Sequence, residues 1–171
     1  MDDIHTESGA DGLRRLRAID VTNLASGRSR TLPAEVLILA AGHSARDTFS
    51  MLLGRGAAME QKPFSIGVRI EHPQEMIDRA QYGDPALADM IGAAEYKLSH
   101  KCGNGRGVYT FCMCPGGEVI DASTEKETRV TNGMSNSARD GKYANSSLLV
   151  DVQTGDLGEG PLAGIEFQRK Y

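Results

Sequence analysis

The stretch Val36-Leu37-Ile38-Leu39-Ala40-Ala41-Gly42-His43-Ser44-Ala45-Arg46-Asp47 constrains this chain most, because an apolar run passes through three small residues straight into a helix start. Four apolar residues without alternation describe a strand covered on both faces, the usual state of a strand inside a parallel sheet. Ala40, Ala41 and Gly42 remove side-chain bulk where that strand ends, so a ligand can approach the main chain closely. Ser44 and Asp47 have the spacing of a capping box and predict a helix from about Ala45, with its free N–H groups turned toward the same corner. Strand, small-residue turn and helix in this order mark the carboxyl edge of an open α/β sheet, where such folds bind ligands.

Val36 to Asp47 also resembles the late strand-turn of the FAD domain in two-domain flavoproteins of the glutathione-reductase type. Four more segments, Lys62 to Pro73, Gly107 to Gly117, Thr131 to Ser135 and Pro161 to Arg169, are similar, in the same order, to a family of bacterial FAD-dependent dehydrogenases. The resemblance runs from about Ala34 to the C-terminus. It implies an oxidoreductase with FAD as cofactor, NAD(P) as a candidate second cofactor, and a small-molecule substrate. It also implies that Ala40, Ala41, Gly42, His43 and Ser44 lie beside the flavin nucleotide.

A complete member of that family is expected to open with a strand, a Gly-x-Gly-x-x-Gly turn and a helix that seats the pyrophosphate. The glycine cluster of this chain, Gly103-Asn104-Gly105-Arg106-Gly107, follows a polar segment and leads into a strand-like run, so it reads as a flexible hairpin loop. The family's closing segment is not recognisable before Tyr171. The expectation is an internal fragment of a larger flavoprotein: residues 1–60 form the later part of the FAD-binding domain and 61–171 a substrate-side α+β domain. Its partners are then the N- and C-terminal segments of the same protein, and alone it is expected to bind FAD weakly or not at all.

Composition sets outer limits. A length of 171 residues suits one domain or a core plus part of a second. The formal charge of −4 and pI near 5.6 argue against nucleic acid as the main partner. No apolar run reaches the roughly 18 residues of a membrane span, and Met1-Asp2-Asp3-Ile4-His5 has neither the basic start nor the apolar core of a secretion signal. A cytoplasmic location follows as the default.

Along the chain, the residues before Leu13 are acidic and polar and are expected to fray. Leu16 to Asn23 and Arg28 to Leu32 read as a hairpin closed at Ala25-Ser26-Gly27. Arg46 to Arg55 reads as a short amphipathic helix stopped at Gly54 or Gly56. A boundary falls between Gly56 and Pro63. Beyond it, Phe64, Ile66, Val68 and Ile70 alternate as in a strand. Helices are expected from His72-Pro73 and from Asp84-Pro85 to Ile91. Strands follow at about Glu95 to His100, Gly107 to Cys114, Glu118 to Ala122, Arg129 to Ser135 and Ser147 to Val152, then a short helix near Pro161 to Arg169. The fold class is α+β: a mostly antiparallel sheet with a few short helices, preceded by a hairpin and one buried strand-turn-helix.

In the second region, Pro115-Gly116-Gly117 is the best site candidate, since glycines there let main-chain N–H groups approach a planar ring or an anion. A tight hairpin turn needs the same glycines. Asn132, Met134, Ser135 and Asn136 are candidate lining for the same cleft, or exposed turn residues, and Arg139 to Lys142 reads as a solvated loop. Cys112 and Cys114 share a face of a strand under strict alternation, either as a redox pair serving a flavin or as small apolar fillers. His43 is placed to hydrogen-bond a ribose or move a proton, or to be an exposed turn residue. No pair of histidines has helical ligand spacing, so no metal is expected. Two function classes stand: part of an FAD-dependent oxidoreductase, or a non-catalytic α+β module that binds a ligand or partner. No catalytic residue or oligomeric state is assigned.

Overall fold

A computed structural model describes residues Met1–Tyr171, which form two units by their contacts: Met1–Gln61 with Gly158–Tyr171, and Lys62–Leu157. The sequence reading runs the second region on to Tyr171, whereas the last residues group with the first unit.

The first unit is built on a three-stranded antiparallel meander, β1 (Asp3–Ser8), β2 (Arg14–Thr22) and β3 (Ser29–Pro33), in that order. The acidic head is therefore ordered rather than frayed. Its pattern carries no apolar alternation, and it is held instead by the ladder to β2 and by charge pairs. Asp3 pairs with Arg55 and Glu7 with Arg17, while His5 Nε2 lies 2.8 Å from Asp20 Oδ2. β2 and β3 form the expected hairpin, in which Asn23 Oδ1 accepts from the N–H groups of Ala25 and Ser26 at 3.0 and 2.9 Å.

The strand expected at Val36 to Leu39 is absent: the residues pair with no strand, and Val36 and Ile38 are 82% and 88% exposed. A strand needs at least one neighbour to pair with, and the sheet of this unit ends with β3 at Pro33. α1 (Arg46–Gly54) follows with Leu52 buried, and the chain leaves it through Gly56 at φ +78°. Closing the unit, α4 (Ala163–Gln168) is tied back where Arg46 Nη2 donates to Gln168 Oε1 at 2.7 Å.

In the second unit the alternating run becomes β4 (Phe64–Pro73), with Pro73 as the extended residue before α2 (Gln74–Tyr82). Asp84 accepts from Ala86 N–H at 3.0 Å to start the 3₁₀ turn Pro85–Leu87, which continues into α3 (Ala88–Ile91). Then come β5 (Ser99–Lys101), β6 (Gly107–Cys114), β7 (Gly117–Asp121), β8 (Thr131–Ser135) and β9 (Tyr143–Val152). They form a four-stranded sheet of order β4-β9-β6-β5 and a separate β7-β8 ribbon, all antiparallel.

Two boundaries differ from the sequence reading. The strand expected from Glu95 is only Ser99–Lys101, while β9 starts four residues before Ser147. Its first part, Ala144-Asn145-Ser146, is small and polar and so carries no strand signal, yet all three are fully buried. β9 pairs with β4 along its whole length, from Phe64 with Val152 to Pro73 with Tyr143, and is the axis of the unit. The overall class is the expected one, mixed α+β with mostly antiparallel sheets and a few short helices.

Candidate functional site

Ala40, Ala41, Gly42 and His43 form an exposed loop ahead of α1. The N–H groups of residues 35–43 make no backbone hydrogen bonds, in contrast to the meander before them. Gly42 is at φ +77°, and a Cβ there would meet nothing within 4 Å, so the main chain is open to approach. The capping box expected from Ser44 and Asp47 does not form. Ala45 is the N-cap with no side-chain cap, and Asp47 Oδ1 accepts instead from the adjacent Thr48 N–H at 2.8 Å. Ser44 Oγ lies 3.3 Å from His43 Nε2.

The loop presents main-chain N–H groups without a backbone partner beside a histidine, with room above the glycine. It contains no glycine-rich turn of the kind that cradles a pyrophosphate.

Pro115, Gly116 and Gly117 lie in the second unit and behave differently. They are buried, and they join β6 to β7, which are strands of different sheets, so the segment is a corner and not a hairpin turn. Nor does Gly116 offer its amide to a ligand, because its N–H donates to Gln74 Oε1 at 2.8 Å. Gln74 Nε2 in turn donates to Asp78 Oδ1 at 2.7 Å and to Ala94 O at 3.1 Å, and Asp78 Oδ1 also accepts from Ala94 N–H at 2.8 Å. A Cβ on Gly116, at φ +53°, would overlap the Arg139 carbonyl. The loop read as solvated, Arg139 to Lys142, thus packs its backbone on the corner: Gly141 N–H donates to Gly116 O at 3.2 Å.

A constellation that the sequence does not announce lies between the sheet and the ribbon. Arg69 on β4 donates through Nη1 to Asn145 Oδ1 at 2.7 Å and to Cys112 O at 3.1 Å, and through Nη2 to Asn132 Oδ1 at 3.4 Å. Gly133 on β8 passes against it, where a Cβ would sit 2.5 Å from Arg69 Nη1 and 2.7 Å from Cys114 Sγ. The residues come from four strands with no common motif. Arg69 stands at an ordinary polar position of the alternation from Phe64 to Ile70, so nothing in the sequence marks it out.

The cysteine pair does not follow strict alternation. A bulge between Phe111 and Cys114 adds a residue to β6, and Cys112 sits in it at φ +48°, exposed, while Cys114 is half-buried. Both are free thiols, and Cys114 Sγ lies 3.4 Å from Cys112 O. Of the polar residues beside them, Asn132 contacts Arg69, Met134 and Asn136 are exposed, and Ser135 Oγ donates to Pro115 O at 2.7 Å. His72 Nε2 lies 2.7 Å from Tyr96 OH, and burial pushes the Tyr96 phenol up from its ordinary value of 10.0, opposed by its bond to Ser146.

Residues 63–171 match the model of a family described as FAD-dependent protein, C-terminal domain-like. An uncharacterized protein of Clostridium beijerinckii (strain ATCC 51743 / NCIMB 8052) is 49% identical over 144 residues, which cover 83% of this chain and 27% of that protein. The chain therefore spans about a quarter of the length of the relative it matches.

Proposed function

We propose, from the premise that this chain belongs to the FAD-dependent protein, C-terminal domain-like family, that it is part of an FAD-dependent oxidoreductase of the dehydrogenase type and supplies its substrate-side α+β domain. The family match over residues 63–171 carries this reading. The open amides of residues 35–43 support it, because they are donors with no partner inside the chain. In this reading Ala40, Ala41, Gly42, His43 and Ser44 lie against the nucleotide, with Gly42 keeping the approach clear and His43 hydrogen-bonding a ribose hydroxyl. Further segments of the same protein supply the pyrophosphate turn, as in two-domain flavoproteins of the glutathione-reductase type. Pro115, Gly116 and Gly117 hold the corner of the substrate-side unit in shape. Bound FAD would supply hydride exchange with NAD(P)H or a small organic substrate, while the protein orients the reactants and excludes water.

The test is reconstitution. Full-length protein purified with FAD is expected to carry a flavin spectrum that bleaches on reduction, and the 171-residue chain to bind FAD weakly or not at all. A colourless full-length protein that shows no flavin absorbance after reconstitution overturns the reading.

A further inference from the structure

We propose that Arg69, with Asn145 and Asn132, is a binding site for a small carboxylate, set between β4, β9 and β8. The first observation is a charge without its opposite. In the same unit Arg79, Arg106 and Arg139 each rest on a carboxylate, that of Glu75, Asp156 and Glu95, and the exposed Arg129 donates to Thr128 O at 3.1 Å. Arg69 is half-buried, and its three acceptors, Cys112 O, Asn145 Oδ1 and Asn132 Oδ1, are all neutral. A guanidinium drawn partly out of water without a counter-charge is costly to hold, and an anion relieves that cost.

The second observation is a pair of donors with nothing to donate to. Arg69 Nε is buried without a partner, and so is Nδ2 of Asn145, a residue with 0% exposure. The orientation of that amide is fixed, since its Oδ1 accepts from Arg69, so the remaining valence is an N–H donor. Two idle donors around one cation call for an anionic, in-plane acceptor, and a carboxylate is the group whose geometry fits the edge of a guanidinium. The hydrogen-bonded group holds a single positive charge, which suits a monocarboxylate better than a phosphate dianion.

The backbone closes on the same group. A Cβ on Gly133 would overlap Asn145 Oδ1 and sit 2.5 Å from Arg69 Nη1, so only glycine lets β8 pass there, and Cys112, at a positive φ, sets its carbonyl against the guanidinium. As the anchor of a substrate's carboxylate, this site rests on the flavoenzyme reading; binding of the anion itself does not, so it is tested without flavin.

The experiment is a titration of the 171-residue chain with sodium acetate, read by ¹H–¹⁵N spectra of the Arg69 Nε–H and the Asn145 side-chain amide. Saturable shifts of both, with a dissociation constant on the order of 1 mM, are expected, and none with acetamide or sodium chloride. Arg69→Lys is expected to weaken binding about tenfold or more through loss of the forked contact. Asn132→Asp, at an exposed position, places a carboxylate beside Nη2 and is expected to abolish acetate binding while the spectrum stays dispersed. No saturable shift in the wild-type chain, an equal response to acetamide or chloride, or binding that survives both substitutions overturns the proposal. A chain that binds acetate from a parent that never takes up flavin removes the flavoenzyme reading and leaves this site standing.

Discussion

The chain clears side chains away twice, at Ala40-Ala41-Gly42 and at Gly116-Gly117 with Gly133, and the two places have opposite fates. Around Gly42 nothing lies within 4 Å of where a Cβ would point, whereas around Gly116 and Gly133 that space is filled by the chain's own backbone and side chains. A run of small residues therefore reports close approach without saying what approaches. In the first unit the approach is left open; in the second it is taken up by the fold.

Substituting the same residue in both places is the sharpest way to break this contrast. Gly116→Ala combines a positive φ with overlap on the Arg139 carbonyl and should cost about 3 kcal/mol or more of the second unit's stability, measured by urea unfolding. Gln74→Ala, which strands the Gly116 N–H and takes a partner from Asp78 and from Ala94 O, should cost about 2 kcal/mol in the same assay. Gly42→Ala pays only the left-handed backbone penalty, about 1 kcal/mol, with no steric term. Should Gly42→Ala prove as damaging as Gly116→Ala, the loop is packed and the contrast is gone.

The smallest effect is one of pH. Hydrogen bonds from Arg55, Arg17, Arg15 and Thr31 hold the carboxyls of Asp3, Glu7, Asp11 and Asp20, respectively, below their ordinary values. For a carboxylate lowered by folding, the stabilisation is complete above its ordinary value and is lost as pH falls through the folded one. β1 should thus lose hydrogen-exchange protection below a pH of about 4. In the second unit the Asp156 carboxyl, held at about 2 by Arg106, stays charged to lower pH. Protection of β1 that persists to pH of about 2 would show that its ladder, not its charges, holds it.

What the sequence displayed was whatever is encoded by neighbouring residues. The alternation from Phe64 to Ile70, the Asp84-Pro85 cap and the hairpin at Asn23 to Gly27 each encode local structure and each appear in the fold. Two ordered segments escaped because their stabilisation is not apolar. β1 is held by charges that come from as far along the chain as Arg55, and the start of β9 is buried through Asn145 and Ser146. Val36 to Leu39 erred the other way, an apolar run that pairs with no strand. Arg69, Cys112, Asn132 and Asn145 converge from four strands, so their meeting depends on sheet order and on a one-residue bulge that no local pattern encodes.

The order of pairing also decides when the second unit can exist. β4 and β6 are not neighbours; each lies against β9, the last of the three in chain order. Throughout synthesis of residues 74 to 142 the nascent chain carries β4 without its partner, and closure of the sheet waits for Tyr143 to Val152 to arrive. Late, long-range closure of this kind slows folding relative to a sheet built from sequential hairpins.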